Sequence, residues 1–151
     1  MDPKSATVHA SAVLVGPRAV LIRGSAGAGK SRLALDLIRA AECGRITFAR
    51  LVGDDRIELA AAHGRLLARP APALAGLIEV RGLGIRRLDH EPVAVVGLVV
   101  DLAIPEAQRL PGGADREIAL AGITLPHLVI APGADPMPIV LACLLTSSAE
   151  V

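Results

Sequence analysis

The octapeptide Gly24-Ser25-Ala26-Gly27-Ala28-Gly29-Lys30-Ser31 fits the pattern G-x-x-x-x-G-K-[ST], and few short motifs constrain a fold so tightly. The glycines let successive backbone N–H groups converge on phosphate oxygens. Lys30 can reach the β- and γ-phosphates, and the Ser31 hydroxyl can ligate Mg²⁺. Context gives the motif its weight. Before it lies the apolar, β-branched run Ala19-Val20-Leu21-Ile22, which reads as a buried strand. After it, Leu33, Ala34, Leu37, Ile38 and Ala41 recur at helical spacing, with Arg32, Asp36 and Arg39 on other faces. Strand, loop and helix in that order set a helix N-terminus against an anion. A cofactor such as ATP, held on residues 24–31, is the implied ligand.

Composition narrows the alternatives. The 151 residues suit one domain over 1–151, and 52% of them are hydrophobic, enough for a generous core. Trp and Tyr are absent and Phe48 is the one Phe, so Leu, Val, Ile and Ala must build that core. A net charge of +1 and the lack of aromatic platforms argue against a nucleic-acid partner. The start of the chain, Met1-Asp2-Pro3-Lys4-Ser5-Ala6-Thr7, has no apolar signal region, and the runs Val93 to Val100 and Ile139 to Leu145 are too short for a membrane span. A soluble cytoplasmic enzyme without membrane contact is the expectation. Cys43 and Cys143 stand alone, which suggests two buried, reduced thiols.

Along the chain, Val8 to Val15 and Ala19 to Ile22 read as a hairpin around Gly16-Pro17, leading into the loop and a helix from about Lys30 to Glu42 that stops near Gly44. Phe48 to Val52 is a further strand. Arg56 to Ala60 and Arg65 to Ala68 suggest a second hairpin, and Pro70-Ala71-Pro72-Ala73 an extended link. Leu77 to Arg81 enters a Gly82-Leu83-Gly84 loop, and Val93 to Val100 is the clearest buried strand. Pro111-Gly112-Gly113 is a loop, 118–120 and 123–125 pair around Gly122, and Met137 to Leu145 forms a short helix. The pattern is α/β with a mixed sheet interrupted by hairpins.

A phosphate loop needs an acidic partner on a neighbouring strand. Asp101 closes one apolar run and the pair Asp54-Asp55 closes another, and the local pattern does not rank them. Glu79 lies two residues from Arg81, so a strand puts both on one face. His63, His90 and His127 lie near turns or prolines and are expected at the surface, as is Arg86-Arg87.

Several of these segments recur together elsewhere. His9-Ala10-Ser11, the run Gly24 to Ser31, Leu51-Val52-Gly53-Asp54-Asp55 and Leu77-Ile78-Glu79-Val80-Arg81-Gly82-Leu83-Gly84-Ile85 occur in an order and spacing that resemble the catalytic domain of HPr kinase/phosphorylase. The likeness runs from about His9 to Val100, and Glu-Val-Arg-Gly-Leu-Gly is its most specific element. It implies a P-loop kinase domain of the phosphoenolpyruvate-carboxykinase-like type. It also implies a serine kinase that uses ATP and Mg²⁺ on an HPr-like phosphocarrier protein of the phosphotransferase system, in homo-oligomers, commonly hexamers. By the same likeness Ser31 and Glu79 hold the magnesium, Lys30 the β/γ-phosphates, Asp55 accepts the serine proton with His9 beside it, and Arg81 acts within a catalytic segment from Ile78 to Arg87.

The chain departs from that pattern twice. Typical members carry a further N-terminal domain, whereas this sequence starts almost at the first strand. The segment Leu125-Pro126-His127-Leu128-Val129-Ile130-Ala131-Pro132-Gly133 also lacks the arginine found there in the family. The resemblance therefore carries over the kinase reaction and leaves the phosphorylase reaction open. A small-molecule P-loop kinase, or a nucleotide-binding regulatory module without transfer activity, are the alternative readings.

Overall fold

Hydrophobic periodicity of two in many segments, of 3.6 over Lys30–Glu42, and a continuous apolar run over Pro136–Leu145 produce a strand-rich α/β fold. The computed structural model describes residues 5–109 and 116–147. In chain order the elements are β1 (Ser5–Val15), β2 (Arg18–Arg23), α1 (Lys30–Glu42), β3 (Ala49–Gly53), β4 (Arg56–Ala62), β5 (Arg65–Pro70), β6 (Leu77–Val80), β7 (Gly84–Arg87), β8 (Ala94–Asp101), β9 (Glu117–Leu120), β10 (Ile123–Val129) and α2 (Pro136–Leu145). Single 3₁₀ turns sit at Pro72–Leu74 and Pro105–Arg109. The proline link is thus part strand and part 3₁₀ turn rather than extended. Pro72 opens the turn, a position where its missing N–H costs nothing. The loop read at 111–113 lies outside the described residues.

Two long strands each serve two layers. Residues 5–9 of β1 pair with β4, and residues 10–15 pair with β2, all antiparallel. The start of β8 pairs with β5, while its remainder runs parallel between β2 and β10. β1, β4, β5, β8 and β2 therefore join in a ring, with β3, β10 and β9 extending the mixed sheet. One apolar cluster fills the space between the ring's layers, including Leu21, Val52, Ile57, Leu66 and Val99. A second lies between the sheet and the helices, with Val20, Ile22, Leu51, Val100 and Leu33, Leu37, Val140. At about 25 cal/mol per Å² of apolar surface these two clusters dominate the stabilisation.

Side-chain alternation survives two bulges. Ala19 pairs with Val96 but Val20 with Leu98, so Gly97 is the extra residue, and a Cβ there would come 2.7 Å from Arg18 Cβ. Val52 is the extra residue where β3 meets β1, immediately before the Asp54-Asp55 corner. Helix α1 ends at Gly44 in a Schellman arrangement, Arg45 N–H donating to Ala40 O and Gly44 N–H to Ala41 O. Asp135 caps α2 by accepting from Met137 N–H.

Two surface expectations are corrected. Cys43 and Cys143 are exposed rather than buried, because one follows the last residue of α1 and the other lies on the outward side of α2. His127 is largely buried, since its strand places it against Asp101.

Candidate functional site

β2 delivers the chain to Gly24 and α1 takes it up at Lys30, so residues 24–29 must reverse direction within six positions. Left-handed backbone at Gly27 (φ +83°) and Gly29 (φ +101°) makes this possible, a conformation that side chains disfavour. Gly29 stands at the N-cap with no side-chain cap, and no acid occupies the first turn of α1. The leading N–H groups of the helix and its positive dipole end are thus left for an anionic ligand. Lys30 Nζ folds over the loop, donating to Gly24 O at 2.8 Å and Ser25 O at 3.1 Å. Residues 24–31 form one continuous cradle.

The second part of the site centres on a residue to which the resemblance assigned no role. Asp54, only 4% exposed, receives three neutral donors. Ser11 Oγ of β1 donates to Oδ1 at 2.5 Å, and Glu79 N–H of β6 donates to Oδ2 at 3.0 Å. Ser31 Oγ lies 2.8 Å from both oxygens and donates its single proton there. The bulge at Val52 and the chain reversal after Gly53 aim this carboxylate beneath the loop. An available signal was Ser11, a lone polar residue at an apolar strand position and, with Asp54, one of the two buried polar side chains among the described residues.

Asp55 follows with the opposite exposure. Its φ is +67° and Arg56 N–H donates to Asp54 O at 2.8 Å, the three-residue pattern of a γ-turn with positive φ. A non-glycine residue held there is strained, and such strain clusters at functional sites. Asp55 O accepts from Ala10 N–H, and His9 pairs with Arg56 across the β1–β4 ladder, so exposed His9 and exposed Asp55 are neighbours. Glu79 meets Asp54 through its backbone N–H while its side chain is exposed, and Arg81 lies in the turn after β6. No ion pair joins Glu79 to Arg81 among the described residues, so both charges face solvent.

Asp101 is differently occupied. Arg23 Nε and Nη2 each lie 2.7 Å from one of its oxygens, and His127 Nε2 lies 2.7 Å from Oδ2. Burial pushes its carboxyl up, but the hydrogen bonds and charges of Arg23 and His127 together hold it below the usual range. The triad ties together the C-terminal ends of β2, β8 and β10, next to the loop's first glycine.

Chemically, the cradle suits a polyphosphate and the Asp54 side suits a hard cation. Mg²⁺ is ordinarily bound by one or two carboxylates together with substrate phosphates, not by an all-protein cage. Neutral donors leave the negative charge of Asp54 uncompensated, the Ser31 hydroxyl keeps lone pairs free, and the residue whose N–H meets Asp54, Glu79, carries an exposed carboxylate of its own. The donor set fits.

Comparison with known proteins follows the same lines. Residues 3–90 match the family model described as HPr serine kinase C-terminal domain. The HPr kinase/phosphorylase of Caldicellulosiruptor bescii is 37% identical over 138 residues, 82% of this chain and 41% of the relative. That of Mycoplasma mycoides is 40% identical over 81 residues, 54% of this chain and 24% of the relative. The chain thus spans about a quarter to two fifths of the length of these curated relatives. The structure of the Hpr(Ser) kinase/phosphatase from Coxiella burnetii superposes with a TM-score of 0.73 at 26% identity, covering 93% of this chain and 88% of that one. The mixed-sheet P-loop kinase fold expected from the sequence agrees with that structure.

Proposed function

The chain belongs to the HPr serine kinase C-terminal domain family, and from that premise we propose that it is an ATP- and Mg²⁺-dependent serine kinase acting on an HPr-like phosphocarrier protein. One observation carries the reading: the phosphate-loop serine, β1 and β6 all converge on Asp54, with the exposed Asp55, held on strained backbone, next to it.

Phosphoryl transfer through a loose transition state asks the protein mainly to position reactants and to screen charge. Backbone N–H groups of residues 24–31 and the Lys30 ammonium bind the phosphates. Lys30 exchanges its two carbonyl partners for phosphate oxygens, a charge-assisted gain. Ser31 and Glu79 would hold the magnesium, with Asp54 orienting the Ser31 hydroxyl from below. When bound, that ion neutralises phosphate charge and helps align the γ-phosphate. Asp55 takes the proton from the substrate serine hydroxyl, which hardly ionises at neutral pH without such a base. His9 flanks Asp55, and Arg81 offsets negative charge on the transferring group. The reading includes a cytoplasmic setting, a single catalytic domain and homo-oligomers. It leaves the phosphorylase reaction open, because residues 125–133 carry no arginine.

The test incubates the purified protein with γ-labelled ATP, Mg²⁺ and a panel of HPr-type carriers. Phosphoserine on a carrier is expected, and no label across the panel overturns the reading. Asp55→Asn is expected to cut the rate by roughly 10²–10⁴ with ATP binding retained. An unchanged rate reassigns the base. The arginine-free segment favours one other reading, a nucleotide-binding regulator, which predicts ATP-dependent partner capture without transfer.

A further inference from the structure

The β6–β7 hairpin is anchored at its base and bare at its tip. Ile78 is 1% exposed, Glu79 N–H is bound to Asp54, and Leu88 N–H donates to Gly76 O at 2.8 Å. Beyond that base, Leu83 N–H closes a turn on Val80 O with Gly82 at φ +84°, and every residue from Gly82 to Arg87 is exposed. Leu83 and Ile85 are each 63% exposed. Scattered exposed apolar residues are ordinary, but these two share one short hairpin, and Ile85 pairs directly with Glu79 across it. Ile85 and the Glu79 carboxylate therefore lie on the same face.

Charge identifies the partner. Residues 77–87 hold Arg81, Arg86 and Arg87 against the single acid Glu79, a net +2 in a chain whose total is +1. None of the three guanidinium groups is in an ion pair among the described residues. β7 pairs with β6 alone, so its outer edge is also open there. We propose that the β6–β7 hairpin is a docking arm for the protein substrate. It receives a carrier surface whose apolar spot, ringed by acidic side chains, lies beside the serine to be phosphorylated. This inference rests on the kinase reading above and adds to it the surface that selects the carrier. The same strand that carries Glu79 into the site carries the arm out of it. A carrier seated on Leu83 and Ile85 is therefore held next to the cradle, and the arginines steer it there by long-range attraction.

The experiment uses a carrier that the wild-type protein labels. It measures KM for that carrier, kcat, and ATP affinity by direct binding for Leu83→Ser/Ile85→Thr and for Arg86→Glu/Arg87→Glu. The apolar pair is expected to raise KM for the carrier about tenfold or more, with ATP affinity held within about twofold. Charge reversal is expected to raise KM comparably and to abolish the rise of KM with added salt. KM unchanged in both variants overturns the docking arm while leaving the kinase reading intact. So does a shift in sedimentation that tracks the loss of activity, since the arm is then a contact between copies of this chain. Failure of the wild type to label any carrier overturns the kinase reading itself, and the arm with it.

Discussion

Asp54 and Asp101 close two apolar strands, β3 and β8, in almost the same local sequence setting, Leu-Val-Gly-Asp against Leu-Val-Val-Asp. Their surroundings make them opposites. Asp54 is met by two hydroxyls and one backbone N–H, all neutral, so its negative charge is solvated by dipoles and not cancelled. Asp101 is met by a bidentate guanidinium and an imidazole, so its charge is matched on the spot. Neutral donors keep a buried carboxylate available to an incoming cation, whereas a cationic partner commits it to structure. An acidic residue at a strand end has no function of its own until the topology chooses its donors.

Within that contrast, the largest expected effect tests its Asp54 half. Asp54→Asn keeps the shape and most hydrogen-bond capacity but removes the charge. It is expected to lower apparent Mg²⁺ affinity by about 10–100-fold, read from the Mg²⁺ dependence of carrier phosphorylation. The same change at Asp101 should leave that dependence near wild type. If Asp101→Asn shifts the Mg²⁺ curve and Asp54→Asn does not, the contrast is inverted.

How much of the molecule is legible in the sequence follows from the range of each interaction. The strand, loop and helix around residues 19–42 are local, and periodicity, capping and glycine placement specify them without reference to the rest of the chain. The observed α1 runs over the same residues as the expected helix, 30–42. β7 escapes such a reading because it buries nothing: all four of its residues are exposed, so no alternation marks it, and only the ladder to β6 holds it straight. The Asp101 triad joins residues 78 and 26 positions away through two parallel pairings, and no local pattern encodes that. Asp54 lies between the two cases. Its residue type and strand-end position are plain, but its partners Ser11 and Ser31 come from separate elements, and the bulge at Val52 that turns it toward them has no sequence mark.

The next effect concerns Asp101. Asp101→Asn leaves Arg23 and His127 partly buried without their carboxylate, and is expected to cost about 1–3 kcal/mol, measured by urea unfolding. A double-mutant cycle with Arg23→Gln should show coupling, because the two side chains share two hydrogen bonds. Additive losses would mean that the pair contributes nothing beyond its separate contacts, and Asp101 would no longer stand as the structural member of the comparison.

The smallest effect is a pH dependence that separates the two carboxylates without touching activity. The Asp101 carboxyl is held below its ordinary value in the folded protein. The unfolded chain, with a value of about 3.9, therefore binds the proton first as pH falls. Its contribution is present in full above that unfolded value and disappears as pH drops through the lower folded one. Thermal melts of wild type and Asp101→Asn should thus differ above about pH 4 and converge as pH falls below it. Carboxylates elsewhere lower both curves alike, so the convergence in the acid range reports Asp101 with its partners Arg23 and His127. A gap that persists unchanged through the acid range would assign the stability loss to lost packing. The charge pairing that distinguishes Asp101 from Asp54 would then have no energetic weight.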